Sequence, residues 1–313
     1  MDIIKPPRLR KGDLIGLIAP ASPPSSQEKI DKGVRYLERL GYNVRIGRHV
    51  GAQHGYLAGT DEERADDINE MLADHNVKAL FAVRGGYGTP RLLDRINYRS
   101  LRAHPKILVG YSDLTALQLA MFRKTGVVMF SGPMVGVEMW DAFDPYTEEH
   151  FWRVLTSTKR IGKLHNPPDD PVQIYHPGKA SGRLLGGNLS LLVSLLGTPY
   201  LPVLRNALLV LEDVDEAPHR IDRMFAQLRH AGILTNVAGL LLGKFTDCVP
   251  GDPSKPHLRT EQVLQEIIER LGCPVLANVM YGHIPKKLTL PLGLLASIDS
   301  RRGSMELMDS AVS

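Results

Sequence analysis

Five short apolar runs divide the first 130 residues, and helical periodicity fills the gaps between them. The runs are 13–20, 42–46, 78–83, 107–109 and 127–130. Residues 27–40 place Ile30, Val34, Leu37 and Leu40 at helical spacing, with Gly41 positioned to end the helix. Thr60-Asp-Glu-Glu63 is a capping box that opens a helix to about Asp74. Apolar runs that alternate with amphipathic helices form parallel sheets covered on both faces. In such sheets the working residues lie beyond the carboxyl ends of the strands. Two polar, glycine-bearing turns are directed to that edge: Arg84-Gly-Gly-Tyr-Gly88 after the third run, and Gly110-Tyr-Ser-Asp113 after the fourth.

The composition changes between about Thr158 and Gly182, where Asn166-Pro-Pro-Asp-Asp-Pro171 and His176-Pro-Gly178 are loop chemistry. This predicts an α/β domain over 1–157, a linker over 158–180 and a second domain over 181–313. The second domain is expected to carry a helix to about Leu196, strands at 206–211, 237–242 and 275–279, and helices at 218–231 and 261–271. Short strands joined by glycine turns are expected over 288–307.

Bulk properties exclude several classes. Hydrophobic residues make up 43% and charged residues 23%, as in a globular protein. The net charge is +4, but 38 basic and 34 acidic residues are interspersed with no run of five like charges, so no nucleic-acid footprint is present. Cys248 and Cys273 provide neither a disulfide framework nor a CxxC spacing. No HExxH, Cys–His cluster or Asp-rich loop suggests a metal. No cofactor is expected, because Gly85-Gly-Tyr-Gly88 lacks both GxGxxG and GK[ST]. No apolar stretch reaches 18 residues, so no membrane association is expected, and a cytoplasmic protein is.

Ser112 sits on a sharp turn between the fourth run and a helical pattern that continues to about Arg123. A serine there either caps the helix or stands exposed as a nucleophile with backbone N–H groups beside it. A nucleophilic serine needs a base, and the base needs an orienting acid. His283, between Gly282 and Ile284-Pro285 after an apolar run, is the best base among 11 histidines. His219 competes, but its place at a helix start favours a turn role. Glu212, at the end of the apolar run 207–211, is the best acid, with Asp213, Asp215 and Glu216 as competitors. The Asp113 N–H and the Gly85–Gly86 loop are candidate oxyanion donors.

Taken in order, these segments resemble the LD-carboxypeptidase family of S66 serine peptidases, which also contains the microcin C self-immunity peptidases. The resemblance rests on Ile18-Ala-Pro-Ala-Ser22, Arg84-Gly-Gly-Tyr-Gly88, Gly110-Tyr-Ser-Asp-Leu-Thr115 and Leu185-Gly-Gly-Asn-Leu189. It rests also on Leu211-Glu-Asp213 with Ile221-Asp-Arg223, and on Gly282-His283 followed by Leu290-Pro-Leu-Gly293. It implies a flavodoxin- or Rossmann-like N-terminal domain and a smaller β-rich C-terminal domain. It further implies a Ser112–Glu212–His283 triad at the domain boundary, no metal, and a cytoplasmic, dimeric enzyme. The implied substrate is a murein tetrapeptide, from which terminal D-alanine is cut at an L,D bond. His219 departs from the aromatic residue the family often carries there, which bears on the cleft and not on the triad.

A carboxypeptidase must hold a terminal carboxylate, and Arg84 and Lys286 are the candidate cations. Two rival readings stand beside this one. A microcin-type peptidase acting on a peptidyl-nucleotide would need an aromatic to stack the adenine; Trp152 fits helix packing and Trp140 has no assigned place. A non-catalytic nucleotide-binding α/β protein is opposed by the missing dinucleotide fingerprint.

Overall fold

The alternation in the first half closes into a six-stranded sheet in the computed structural model, which describes residues 2–313. In chain order its elements are β1 (Leu14–Ile18), α1 (Gln27–Arg39), β2 (Asn43–Ile46), α2 (Asp61–Ala73), β3 (Val77–Ala82), α3 (Tyr98–Ala103), β4 (Ile107–Gly110), α4 (Leu114–Thr125) and β5 (Met129–Ser131). Strands β1 to β5 are all parallel and lie in the order β5-β4-β3-β1-β2. The strand order reverses between β1 and β3, which opens a crevice at their carboxyl ends. The Thr60 capping box forms as its sequence predicts, with both reciprocal hydrogen bonds present.

The sixth strand comes from the far end of the chain. After α5 (Pro145–Thr156), β6 (Gly162–Leu164), β7 (Gln173–Ile174), β8 (Lys179–Asn188), α6 (Leu189–Ser194), β9 (Leu208–Val214), α7 (Pro218–His230), β10 (Gly239–Thr246), α8 (Thr260–Glu269) and β11 (Val275–Ala277), the chain returns as β12 (Leu290–Leu292). Strand β12 pairs antiparallel with β5 and so completes the first sheet. Strands β13 (Leu295–Asp299) and β14 (Ser304–Leu307) then join the second sheet.

That second sheet has eight strands in the order β6-β14-β13-β8-β9-β10-β11-β7. Its centre, β8 to β11, is parallel; the outer pairings are antiparallel. Residues 158–180, expected as a linker, contribute β6 and β7 to its two edges. Two- and three-residue edge strands show no apolar alternation to read; their pairing comes from the backbone of their neighbours.

Helix α4 joins the halves. Nearly every residue from Leu114 to Phe122 is buried. A helix apolar on all sides needs neighbours on all sides, and α4 packs on β4 and β5 of one sheet and on β8 and α6 of the other. Helix α5 covers the first sheet. Its Trp152 stacks on Tyr42 at 5.1 Å and donates its indole N–H to the Tyr36 hydroxyl at 2.7 Å, so Trp152 is a packing residue. Among the described residues, no helix is long and apolar enough to cross a membrane.

Candidate active site

The nucleophile turn is strained where its chemistry would need it. Ser112 has φ of +65°, one of few non-glycine residues in the left-handed region. A serine in that region is held there by its surroundings, and such strain clusters at functional sites. Its hydroxyl caps nothing: Asp113 is the N-cap of α4, and among the described residues Ser112 Oγ makes no hydrogen bond. The capping reading of Ser112 is therefore wrong, and the elbow geometry is present.

The glycine loop lies directly against this serine. A Cβ on Gly85 would stand 3.0 Å from Ser112 Cβ and 3.2 Å from Ser112 Oγ, so only glycine allows this approach. The loop is fastened from two sides. Ser22, after β1, donates its N–H to the Gly85 carbonyl at 3.3 Å and accepts the Tyr87 N–H at 3.1 Å. The buried Asp113 carboxylate accepts the N–H groups of Gly88 at 3.2 Å and Thr89 at 2.8 Å. Buried Arg64 donates to the Gly88 and Pro20 carbonyls. Burial raises the Asp113 carboxyl to about 6, against the pull of these N–H donors. Among the described residues, the N–H groups of Gly86 and Asp113 donate to no protein acceptor, as vacant oxyanion donors would.

The acid and base are brought into contact. His283 Nδ1 lies 2.7 Å from Glu212 Oε2. Glu212 is only 1% exposed, and a buried carboxylate is stable there only with such partners. It lies inside β9 and does not end it, because β10 shifts register between Leu242 and Phe245 and resumes pairing at Asp213 and Val214. Gly282, at φ of +127°, makes the contact possible: a Cβ there would sit 3.0 Å from Glu212 Oε2. Asn188, at the end of β8, donates from Nδ2 to Glu212 Oε1 at 3.3 Å and to Asp213 Oδ1 at 2.8 Å. Its backbone N–H donates to Thr115 Oγ1, in the first turn of α4, at 3.0 Å. Of the rival residues, the acid Asp213 is engaged by Asn188 and Ser190, and the base His219 is exposed in the first turn of α7.

Tyr111 links the candidate nucleophile to the candidate base. The Tyr111 ring stands edge-on to the imidazole with centroids 5.0 Å apart, and Ser112 is its chain neighbour. No hydrogen bond joins Ser112 Oγ to His283 among the described residues; catalytic contacts of this kind often tighten only around substrate. Beside His283 opens a cleft of about 380 Å³ lined by Tyr111, Glu138, Trp140, Pro285 and Lys287.

The two expected cations do not line this cleft. Arg84 donates to the Pro23 carbonyl at 3.2 Å. Lys286 is half-exposed, 3.8 Å from Asp169. Lys287, the residue beside it, is buried in the cleft wall, where Nζ meets Glu138 Oε1 at 2.6 Å. Tyr111, Glu138, Asn188 and Lys287 are site residues that sequence reasoning missed. Among the described residues no group of three or more His, Cys, Asp or Glu side chains is placed to hold a metal ion. A half-buried strained serine, a glycine loop with vacant donors and a carboxylate-bound imidazole together can perform acyl transfer.

Two family models match the chain. The LD-carboxypeptidase N-terminal domain matches residues 15–132 and the LD-carboxypeptidase C-terminal domain matches residues 181–298. A probable murein peptide carboxypeptidase of Bacillus subtilis (strain 168) is 42% identical over 297 residues, covering 95% of this chain and 92% of that protein. The crystal structure of muramoyltetrapeptide carboxypeptidase from Oxalobacter formigenes matches with a TM-score of 0.83 at 31% identity, covering 96% of this chain and 100% of that one. The microcin C7 self-immunity protein MccF, in complex with aspartyl sulfamoyl adenosine, matches with a TM-score of 0.91 at 28% identity, covering 99% and 100%. This chain belongs to the LD-carboxypeptidase family, the S66 serine peptidases, and is a serine-type carboxypeptidase.

Proposed function

We propose that the protein removes the terminal D-alanine of murein tetrapeptides by cutting the L,D bond next to the diamino acid, through a Ser112–Glu212–His283 triad. The observation that carries this reading is the buried 2.7 Å contact between Glu212 and His283 Nδ1. It holds the imidazole in the tautomer whose Nε2 lone pair is free to act as base. His283 Nε2 takes the Ser112 hydroxyl proton as Oγ attacks the scissile carbonyl. The tetrahedral oxyanion is held by the N–H groups of Asp113 and of Gly86, with Gly85 as the close-packed floor. Collapse breaks the C–N bond, and His283 passes its proton to the departing D-alanine amine. Water, deprotonated by His283, then attacks the acyl-enzyme and releases the shortened peptide and free Ser112. Names of relatives in Bacillus subtilis and Oxalobacter formigenes support a murein peptide substrate. The reading implies a cytoplasmic, dimeric enzyme of cell-wall recycling.

One observation favours a second reading, hydrolysis of a peptidyl- or aminoacyl-nucleotide. Trp140 lines the cleft beside His283, which puts an aromatic ring where a base could stack. Parallel incubation with synthetic murein tetrapeptide and with an adenylated peptide separates the two. Release of D-alanine that is lost in Ser112→Ala is expected. Turnover of the adenylated peptide alone would replace the first reading with the second.

A further inference from the structure

The cleft beside His283 contains a buried ammonium with hydrogen-bonding capacity to spare. Lys287 is 3% exposed. Its Nζ donates to Glu138 Oε1 at 2.6 Å and stands 3.9 Å from the Tyr111 ring centroid. An ammonium has three donors. Among the described residues only Glu138 accepts from it. Glu138 is largely engaged within the protein: Oε1 also takes the Tyr111 hydroxyl at 2.8 Å, and Oε2 takes the Met134 N–H at 2.8 Å, three of about four acceptor sites. The larger unused capacity of this pair is therefore donor capacity, two N–H groups on a residue that lines the cleft. Its complement is a ligand anion.

The residue is also rigidly mounted. The Thr147 hydroxyl of α5 accepts the Lys287 N–H at 2.8 Å and donates to the Pro285 carbonyl at 3.0 Å. A long flexible side chain on a pinned backbone, against an aromatic face, loses little further freedom when an anion arrives.

The distances suit one particular anion. The Tyr111 ring is 5.0 Å from the imidazole centre and 3.9 Å from Lys287 Nζ, which puts Nζ within about 9 Å of the imidazole centre. In an amino-acid leaving group the carboxylate oxygens lie about 3 Å from the amine nitrogen, and hydrogen bonds at each end add about 2.8 Å. A departing amino acid thus spans from the base to this ammonium.

We infer that Lys287 binds the free terminal carboxylate of the substrate and so restricts the enzyme to C-terminal residues. This rests on the carboxypeptidase reading above and assigns its anchoring cation to Lys287 in place of Arg84 or Lys286. Glu138 and Tyr111 are positioning residues that hold the ammonium beside the base.

The test separates binding from turnover. In a Ser112→Ala background, affinity is measured by calorimetry for a murein tetrapeptide with a free C-terminus and for the same peptide as its C-terminal amide. The free acid is expected to bind about 10- to 100-fold more tightly, as a charge-assisted contact allows. The charge-balanced pair Glu138→Gln with Lys287→Gln keeps the cleft wall neutral and is expected to abolish that preference, bringing acid and amide to equal affinity. Lys287→Arg is expected to retain part of it. Equal affinity for acid and amide in Ser112→Ala, or a preference that survives the double substitution, overturns the inference. D-alanine release by the unsubstituted enzyme is scored separately, so a failed anchor and a failed carboxypeptidase reading give different results.

Discussion

Glu212→Gln is the most diagnostic substitution at the site, because both orientations of the new amide conflict with a neighbour. Glu212 Oε2 receives His283 Nδ1 at 2.7 Å and Oε1 receives Asn188 Nδ2 at 3.3 Å. The Asn188 amide cannot turn to relieve the conflict, since its Oδ1 accepts the Leu191 N–H at 3.1 Å and caps α6. If the glutamine oxygen faces Asn188, its NH2 faces His283 Nδ1. The imidazole must then accept at Nδ1 and carry its proton on Nε2, the tautomer that cannot deprotonate Ser112. If the oxygen faces His283 instead, two NH2 groups meet inside a buried site.

The loss is expected in kcat. Reversing the tautomer and removing the charge that stabilises the imidazolium is worth about 10³- to 10⁴-fold in triads of this type, or about 4–5.5 kcal/mol of transition-state stabilisation. Stability should move in the opposite sense or little. The substitution removes a carboxylate that is 1% exposed and whose charge helps to raise the neighbouring Asp213 carboxyl. Steady-state D-alanine release and thermal unfolding on the same preparation check both halves. A kcat within tenfold of the original, with the melting temperature unchanged, would refute the role of Glu212 and with it the tautomer argument.

Two further outcomes follow from the nucleophile turn. Gly85→Ala places a methyl group 3.0 Å from Ser112 Cβ, closer than packed carbons tolerate, and should lower kcat/KM by at least about tenfold at a stability cost of about 1–3 kcal/mol; an active variant with unchanged kinetics would show that the loop does not crowd the serine. Asp113 should give a pH signature. Its folded carboxyl, at about 6, holds its proton more tightly than the unfolded chain's, so its ionisation is a penalty of about 3 kcal/mol above pH 6 that shrinks as pH falls toward 4. Relative to Asp113→Asn, the original protein should therefore gain about 1.4 kcal/mol in denaturant stability between pH 7.5 and 5. Activity should fall over the same interval, as protonation withdraws an acceptor from the Gly88 and Thr89 N–H groups. A parallel stability profile in the two proteins would contradict the burial argument.

What the sequence discloses follows the range of the interactions involved. The parallel half was legible because β1, β3, β4 and β5 are almost wholly buried and α1, α2 and α3 carry side-chain N-caps; the Thr60 box and the Ser112 turn are local signals. The edge strands were not. Residues 158–180 read as loop because β6 and β7 are too short for a period, and β12 could not be assigned to a sheet because Leu290-Pro-Leu292 has no preference for either partner. Pro291 is tolerated there since β12 is an edge strand. The cation in the cleft wall, Lys287, stands one position from the expected Lys286. Lys286 and Lys287 are indistinguishable as text, and which one faces the cleft is decided by Thr147 on α5, far away in the chain.

The same reasoning explains why the acid and the base had to be sought so far from the serine. Ser112 stands at the start of α4, and α4 is buried against both sheets. Its position is therefore set by the second sheet as much as by the strand that precedes it. Asn188 makes that dependence explicit, since one residue at the end of β8 bonds Thr115 in the first turn of α4 and Glu212 on β9. Strand β12, which follows the His283 loop, closes the edge of the first sheet against β5. The chain thus crosses from the second sheet to the first through the loop that carries the base, and returns to the second sheet after β12. A displacement of either sheet large enough to part His283 from the Ser112 turn would have to break the Asn188 bonds or unpair β12. The rigidity that a strained nucleophile and a single imidazole tautomer require is supplied by these crossings, and not by the turn that first drew attention to the serine.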